Sequence, residues 1–77
     1  MKVGDQVKSI EELKKGFRFI FQGVVIFIDE TKMNNSEMAI VRIDHLRCEH
    51  KDAPELGRDL PIPNSTAAFY INQLERI

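Results

Sequence analysis

The chain has 77 residues, 43% of them apolar, with five Phe and no Trp. That is room for one small core and too much apolar content for a disordered tail. Eleven Lys and Arg against twelve Asp and Glu leave a net charge of -1, which argues against a generic polyanion binder without excluding a local basic patch. One Cys excludes an internal disulfide framework, and the longest apolar run, residues 24–28, is far short of a membrane span.

In chain order, residues 3–8 read as a short strand, with Gly4-Asp5 as a turn-type pair. Ser9-Ile10-Glu11-Glu12 fits a capping box, and Leu13-Lys14-Lys15-Gly16 supplies an apolar residue, two cations and a glycine stop. One short helix over residues 9–15 is expected, resting Ile10 and Leu13 on a sheet because it is too short to stand alone.

Residues 17–29 carry the strongest pattern. Gln22-Gly23 interrupts two apolar, β-rich runs, and a hairpin there pairs Phe21 with Val24, Phe19 with Ile26 and Phe17 with Ile28 on one buried face. The other face is also apolar in part, with Ile20, Val25 and Phe27 beside Arg18. Residues 38–43 repeat the alternation: Ala39, Val41 and Ile43 point one way, Met38, Ile40 and Arg42 the other. A sheet apolar on both faces needs two covers, from its own curvature or from another chain.

Residues 30–37 are polar, and Asn34-Asn35-Ser36 is turn chemistry. Residues 44–66 have three prolines and no clear period, and read as a long loop in which Leu60-Pro61-Ile62-Pro63 forms a short edge strand. Residues 67–77 read two ways. As a helix they stripe Ala67, Tyr70, Ile71, Leu74 and Ile77. As a strand, residues 67–71 pair with Leu60 to Ile62 across Asn64-Ser65, followed by a tight turn over residues 72–75 and a closing Arg76-Ile77. The aromatic and β-branched content of Phe69-Tyr70-Ile71 favours the strand.

The order of short strand, helical turn, long hairpin, third strand, loop, strand, tight turn and last strand resembles small SH3-like barrels. Val3-Gly4-Asp5-Gln6-Val7 at one end and Phe69-Tyr70-Ile71-Asn72-Gln73-Leu74-Glu75-Arg76-Ile77 at the other carry the resemblance. It implies a mostly-β domain over residues 1–77: a five- or six-stranded SH3-like barrel or curled antiparallel sheet with one short helix. The alternative is α+β, with a C-terminal helix over residues 65–76. The chain is also similar in size and style to compact accessory proteins of bacteriophage and bacterial genomes. The aromatic ligand groove of signalling SH3 domains is not implied, since Trp is lacking.

His45, Cys48 and His50 are zinc-ligand types, but they form one cluster without the second pair a structural zinc site takes, so a solvated polar loop is expected. A Cys48–His nucleophile pair needs a base within reach, an orienting acid and an oxyanion site beside a pocket, which a local cluster does not supply. Neither an enzyme nor a cofactor is expected. The surplus apolar face flanked by arginines matches the makeup of protein interfaces. The expected function is therefore a binding module that occupies a partner protein's surface through Arg18, Phe27, Met38, Arg42, Arg47 and Arg58. A phage-type regulator or inhibitor of a host complex fits the resemblance. The first alternative is a nucleic-acid-binding barrel led by Lys8, Lys14, Lys15 and Arg18 with stacking aromatics. Against it, acids outnumber cations over residues 29–59. The second alternative is an obligate homodimer. The single Cys and the lack of a signal-length apolar stretch in Met1-Lys2-Val3-Gly4-Asp5 lead us to expect a cytoplasmic, non-membrane protein.

Overall fold

Six antiparallel strands make up most of the protein in a computed structural model that describes residues 1–33, 36–62 and 65–77. β1 spans Gln6–Glu12, β2 Phe17–Met33, β3 Ser36–His50, β4 Ala53–Leu60, β5 Thr66–Tyr70 and β6 Glu75–Arg76. The sheet order is β4-β3-β2-β1-β6, and β5 pairs with the same edge of β3 as β4 does, at Met38 to Arg42. Two 3-10 turns, Lys14–Gly16 and Ile71–Gln73, are the helical segments among the described residues. Among the described residues, no helix is long and apolar enough to cross a membrane.

The mostly-β, curled antiparallel architecture is as the sequence indicates. The strand reading of the C-terminus also holds: β5 runs into the Ile71–Gln73 turn and then into β6. The C-terminal helix does not form. β5 pairs with β3, however, and not with the Leu60 to Ile62 segment. Phe69 seats against the core on one face of the strand, and its ring meets Phe21 edge-on with centroids 5.8 Å apart. The Tyr70 amide donates to Gln73 Oε1 at 2.9 Å, holding the turn that swings the chain to β1, where the Ile77 amide donates to the Gln6 carbonyl at 2.9 Å. The chain thereby links one edge of the curl to the other.

Three further expectations are corrected. Residues 9–12 are strand, not helix: Ser9 is buried opposite Phe21 and Ile10 pairs with Ile20. The period-two order of Val7 and Ser9 inward, Lys8 and Ile10 outward, overrides the local capping signal once a partner strand is present. Only the Lys14-Lys15-Gly16 stop survives, as a turn with Lys15 at φ 62° and Gly16 at φ 81°.

The hairpin at Gln22-Gly23 does not exist. β2 runs straight through it, pairing with β1 on one side and β3 on the other. Gly23 is there because of a close backbone approach. A Cβ at this position would collide with the Arg42 carbonyl oxygen and sit 2.8 Å from Val41 Cγ1. The register slips at this point, and it slips again between Val25 and Phe27. The hairpin joining β2 to β3 closes on the Met33–Ser36 pair, while Asn34 and Asn35 lie outside the described residues.

Residues 44–66 are mostly strand. β3 continues to His50 and β4 returns along it, pairing Leu46 with Leu60, Arg47 with Asp59 and Cys48 with Arg58. Pro61 and Ile62 are not strand, and Ile62 packs on the core; Pro63 and Asn64 lie outside the described residues. The core itself is Val7, Val25, Ala39, Val41, Ile43 and Leu74, all on the inner side of the curl.

Candidate functional site

Residues paired directly across antiparallel strands share a face, so the register divides the side chains into an inner and an outer set. On the outer face, Arg18 of β2 stands opposite Glu49 of β3, and Arg47 of β3 opposite Asp59 of β4. Arg18 donates from Nε and Nη2 to Glu49 Oε1 at 2.9 and 2.6 Å. Arg47 donates from Nε to Glu49 Oε2 at 3.2 Å, from Nη1 to Asp59 Oδ1 at 3.4 Å and from Nη2 to the Pro54 carbonyl at 3.0 Å. His45 Nε2 completes the row at 2.9 Å from Asp59 Oδ1. Glu49 is only 8% exposed. The Arg18 hydrogen bonds hold its carboxyl below the usual glutamate range, burial pushes the other way, and Arg47 adds to the lowering.

Farther along the same face lies an apolar patch. The register slip after Val25 turns both Ile26 and Phe27 outward, 42% and 56% exposed, while Val25 stays fully buried. Phe27 pairs with Ile40, Ile40 with Ala68 and Met38 with Tyr70. Arg42, exposed, closes the patch opposite Val24 and Thr66.

The inner face is covered only in part. β5, the Ile71–Gln73 turn and Leu74 lie over the core as far as Phe21. Beyond it, Phe17, Cys48, His50, Leu56, Arg58 and Leu60 line an open groove of about 410 Å³. Phe17 and Leu56 are 46% and 75% exposed there. His50 holds one end of this groove in place. Its Nε2 lies 2.8 Å from the Lys15 carbonyl, its Nδ1 accepts from the Asp52 amide at 3.1 Å, and its ring meets Phe17 edge-on at 4.9 Å. These partners assign the Nε2–H tautomer.

The six residues expected at a protein interface therefore stand in three places. Phe27, Met38 and Arg42 are together on the outer patch. Arg18 and Arg47 belong to the Glu49 network. Arg58 lies on the inner face, in the groove. Val25, expected on the docking face, is core. Of the nucleic-acid candidates, Lys8 lies 3.8 Å from Glu75, Arg18 is held by Glu49, and Lys14 and Lys15 sit exposed in the first turn. Cys48 and His50 face the groove while His45 faces outward, so the cluster legible in the sequence is divided between two sides of the sheet.

Phe17 and Leu56, the groove's most exposed apolar residues, were not anticipated. Their signal was the spacing of Leu56, Arg58 and Leu60 at two-residue intervals, a strand pattern inside a proline-bearing segment. Comparison with known proteins finds no matching family model, no matching curated protein and no matching solved structure.

Proposed function

We propose that the protein is a non-enzymatic binding module that docks on a partner protein with the outer face of β2, β3 and β5. The observation that carries this reading is the pair of adjacent outward apolar side chains, Ile26 and Phe27, set by a bulge into a patch with Met38, Ile40, Ala68 and Tyr70 and bordered by Arg42. A bulge that re-aims a side chain is a device, not a packing defect, and an aromatic anchor with an arginine beside it is the usual makeup of an interface hot spot. The engagement of both His50 ring nitrogens, which leaves that ring no free lone pair to act as a base for Cys48, also favours binding over catalysis. A cytoplasmic regulator or inhibitor that masks its partner's surface, built on an SH3-like barrel of the phage accessory type, is the role we assign.

Separate Phe27→Asp and Arg42→Glu variants test this. Each is expected to lower capture of the partner from a lysate by about tenfold or more, with an unchanged amide spectrum. If neither lowers it, the reading fails. A gel shift of nucleic acid that weakens steeply with salt would favour the alternative based on Lys8, Lys14 and Lys15.

A further inference from the structure

We infer that the groove beside β4 is a second, separate docking site, which takes an extended peptide strand carrying an acidic residue and an apolar residue two positions apart. This rests on the reading of the chain as a protein-binding module and names a partner chemistry for a surface outside the outer patch.

Three observations converge. First, β4 is the last strand of the sheet and has β3 as its partner. Its other side presents main-chain groups to which an extended segment can add. Pro54, which lacks an N–H, is tolerated on such an edge.

Second, the groove next to that edge is apolar. Phe17, Cys48, Leu56 and Leu60 line it, and Leu56 is three-quarters exposed. An aliphatic side chain entering there removes this surface from water at about 25 cal/mol per Å².

Third, the lining holds a single uncommitted charge. Glu49 borders the groove, but its carboxylate is taken on the opposite face by Arg18 and Arg47. Arg58 makes no hydrogen bond or ion pair among the described residues, whereas Arg47, on the neighbouring strand, is engaged by Glu49, Asp59 and the Pro54 carbonyl. A guanidinium beside apolar walls complements a carboxylate, which it can bind through two parallel hydrogen bonds.

The geometry sets the spacing of the motif. Arg58 and Leu56 both face the groove and are two residues apart on one strand. An added strand places directly opposed side chains on the same face, so its acidic residue stands opposite Arg58 and its apolar residue opposite Leu56. The edge favours a peptide over a free amphiphile, since a lipid-like acid makes no use of the strand's main chain.

The test uses a fluorescent nine-residue peptide in which threonine occupies every odd position and glutamate and valine take turns at the even ones, so that an acidic and an apolar residue stand two apart on one face (the valine–glutamate peptide), a matched valine–lysine peptide with lysine for each glutamate, and decanoate. The full-length protein is followed by anisotropy and by amide chemical shifts. The valine–glutamate peptide is expected to shift the amides of β4, and Arg58→Glu to weaken it at least tenfold while turning the preference toward the valine–lysine peptide. Leu56→Asp is expected to weaken both peptides. Phe27→Asp is expected to leave peptide binding unchanged.

No β4 shift at millimolar peptide overturns the proposal, as does binding indifferent to charge. Decanoate competing as well as the peptide reassigns the groove to a small amphiphile. A dimer mass abolished by Leu56→Asp reassigns it to a second copy of the chain. Because Phe27→Asp reports only on the outer patch, loss of partner capture in that variant with no peptide binding leaves the module reading standing and the groove proposal refuted. Peptide binding with no effect of either Phe27→Asp or Arg42→Glu on capture leaves the groove proposal standing and refutes docking through the outer patch.

Discussion

Arg18 and Glu49 meet through two hydrogen bonds, 2.9 and 2.6 Å long, across the β2–β3 pair. With Arg47 on the other carboxylate oxygen, the pair accounts for two of the arginines a sequence reader would assign to a partner. It also makes the outer face of the long hairpin pH-sensitive. The Glu49 carboxyl is held below its ordinary value of 4.5, so its contribution to stability is fully present above that value and is lost as pH falls through the lowered one. Glu49→Gln is expected to lower the melting temperature at neutral pH. The gap from the parent should narrow below about pH 4.5, as read by thermal denaturation across a pH series. A gap constant with pH would mean that the carboxylate charge contributes nothing.

The bulge after Val25 makes a sharp contrast between neighbours. Val25 is fully buried and Phe27 is 56% exposed. Val25→Ala is expected to destabilise by about 2–3 kcal/mol through lost transfer energy and a residual cavity. Phe27→Ala should stay within about 0.5 kcal/mol. Denaturant titration of both variants checks this, and similar losses would mean that Phe27 packs as core.

Gly23 has a single tolerated side chain: none. Gly23→Ala drives a methyl group into the Arg42 carbonyl and against Val41, and is expected to cost about 1–3 kcal/mol. In hydrogen exchange the loss should centre on the β2–β3 amides around Val24 and Arg42. A neutral Gly23→Ala would place Gln22 and Gly23 back in a turn.

His50 ties two turns together, through the Lys15 carbonyl on one side and the Asp52 amide on the other, with the Lys51 amide donating to the Gly16 carbonyl alongside at 2.9 Å. His50→Ala is expected to cost about 1–2 kcal/mol and to speed exchange at the Lys51 amide ahead of the core amides. Uniform loss across the sheet would mean that the ring serves the core instead.

The parts of the fold legible in the sequence are those with clean two-residue alternation or strong closing chemistry. Ala39, Val41 and Ile43 alternate with Met38, Ile40 and Arg42, and they face in and out as read. Phe69-Tyr70-Ile71 followed by a tight turn was likewise readable. Gly23 misled, because a glycine required by a close backbone approach has the same local signature as one required by a turn. Residues 44–60 were hidden by their polarity. His45, Arg47 and Glu49 look like loop residues until the partner charges on β2 and β4 are in place, and those partners are distant in sequence. The outer patch was therefore partly legible, through Phe27, Met38 and Arg42. The groove was not, because Phe17 and Leu56 meet only after β3 and β4 pair.

The most direct test of the protein-docking reading is site-specific photo-crosslinking, with benzoylphenylalanine replacing Phe27 in one variant and Glu75 in another. Glu75 lies on β6, away from the patch and beside Lys8. The account predicts one discrete protein adduct from position 27 and none from position 75. Equal adducts from both positions, or none from position 27 with the fold intact, would contradict it.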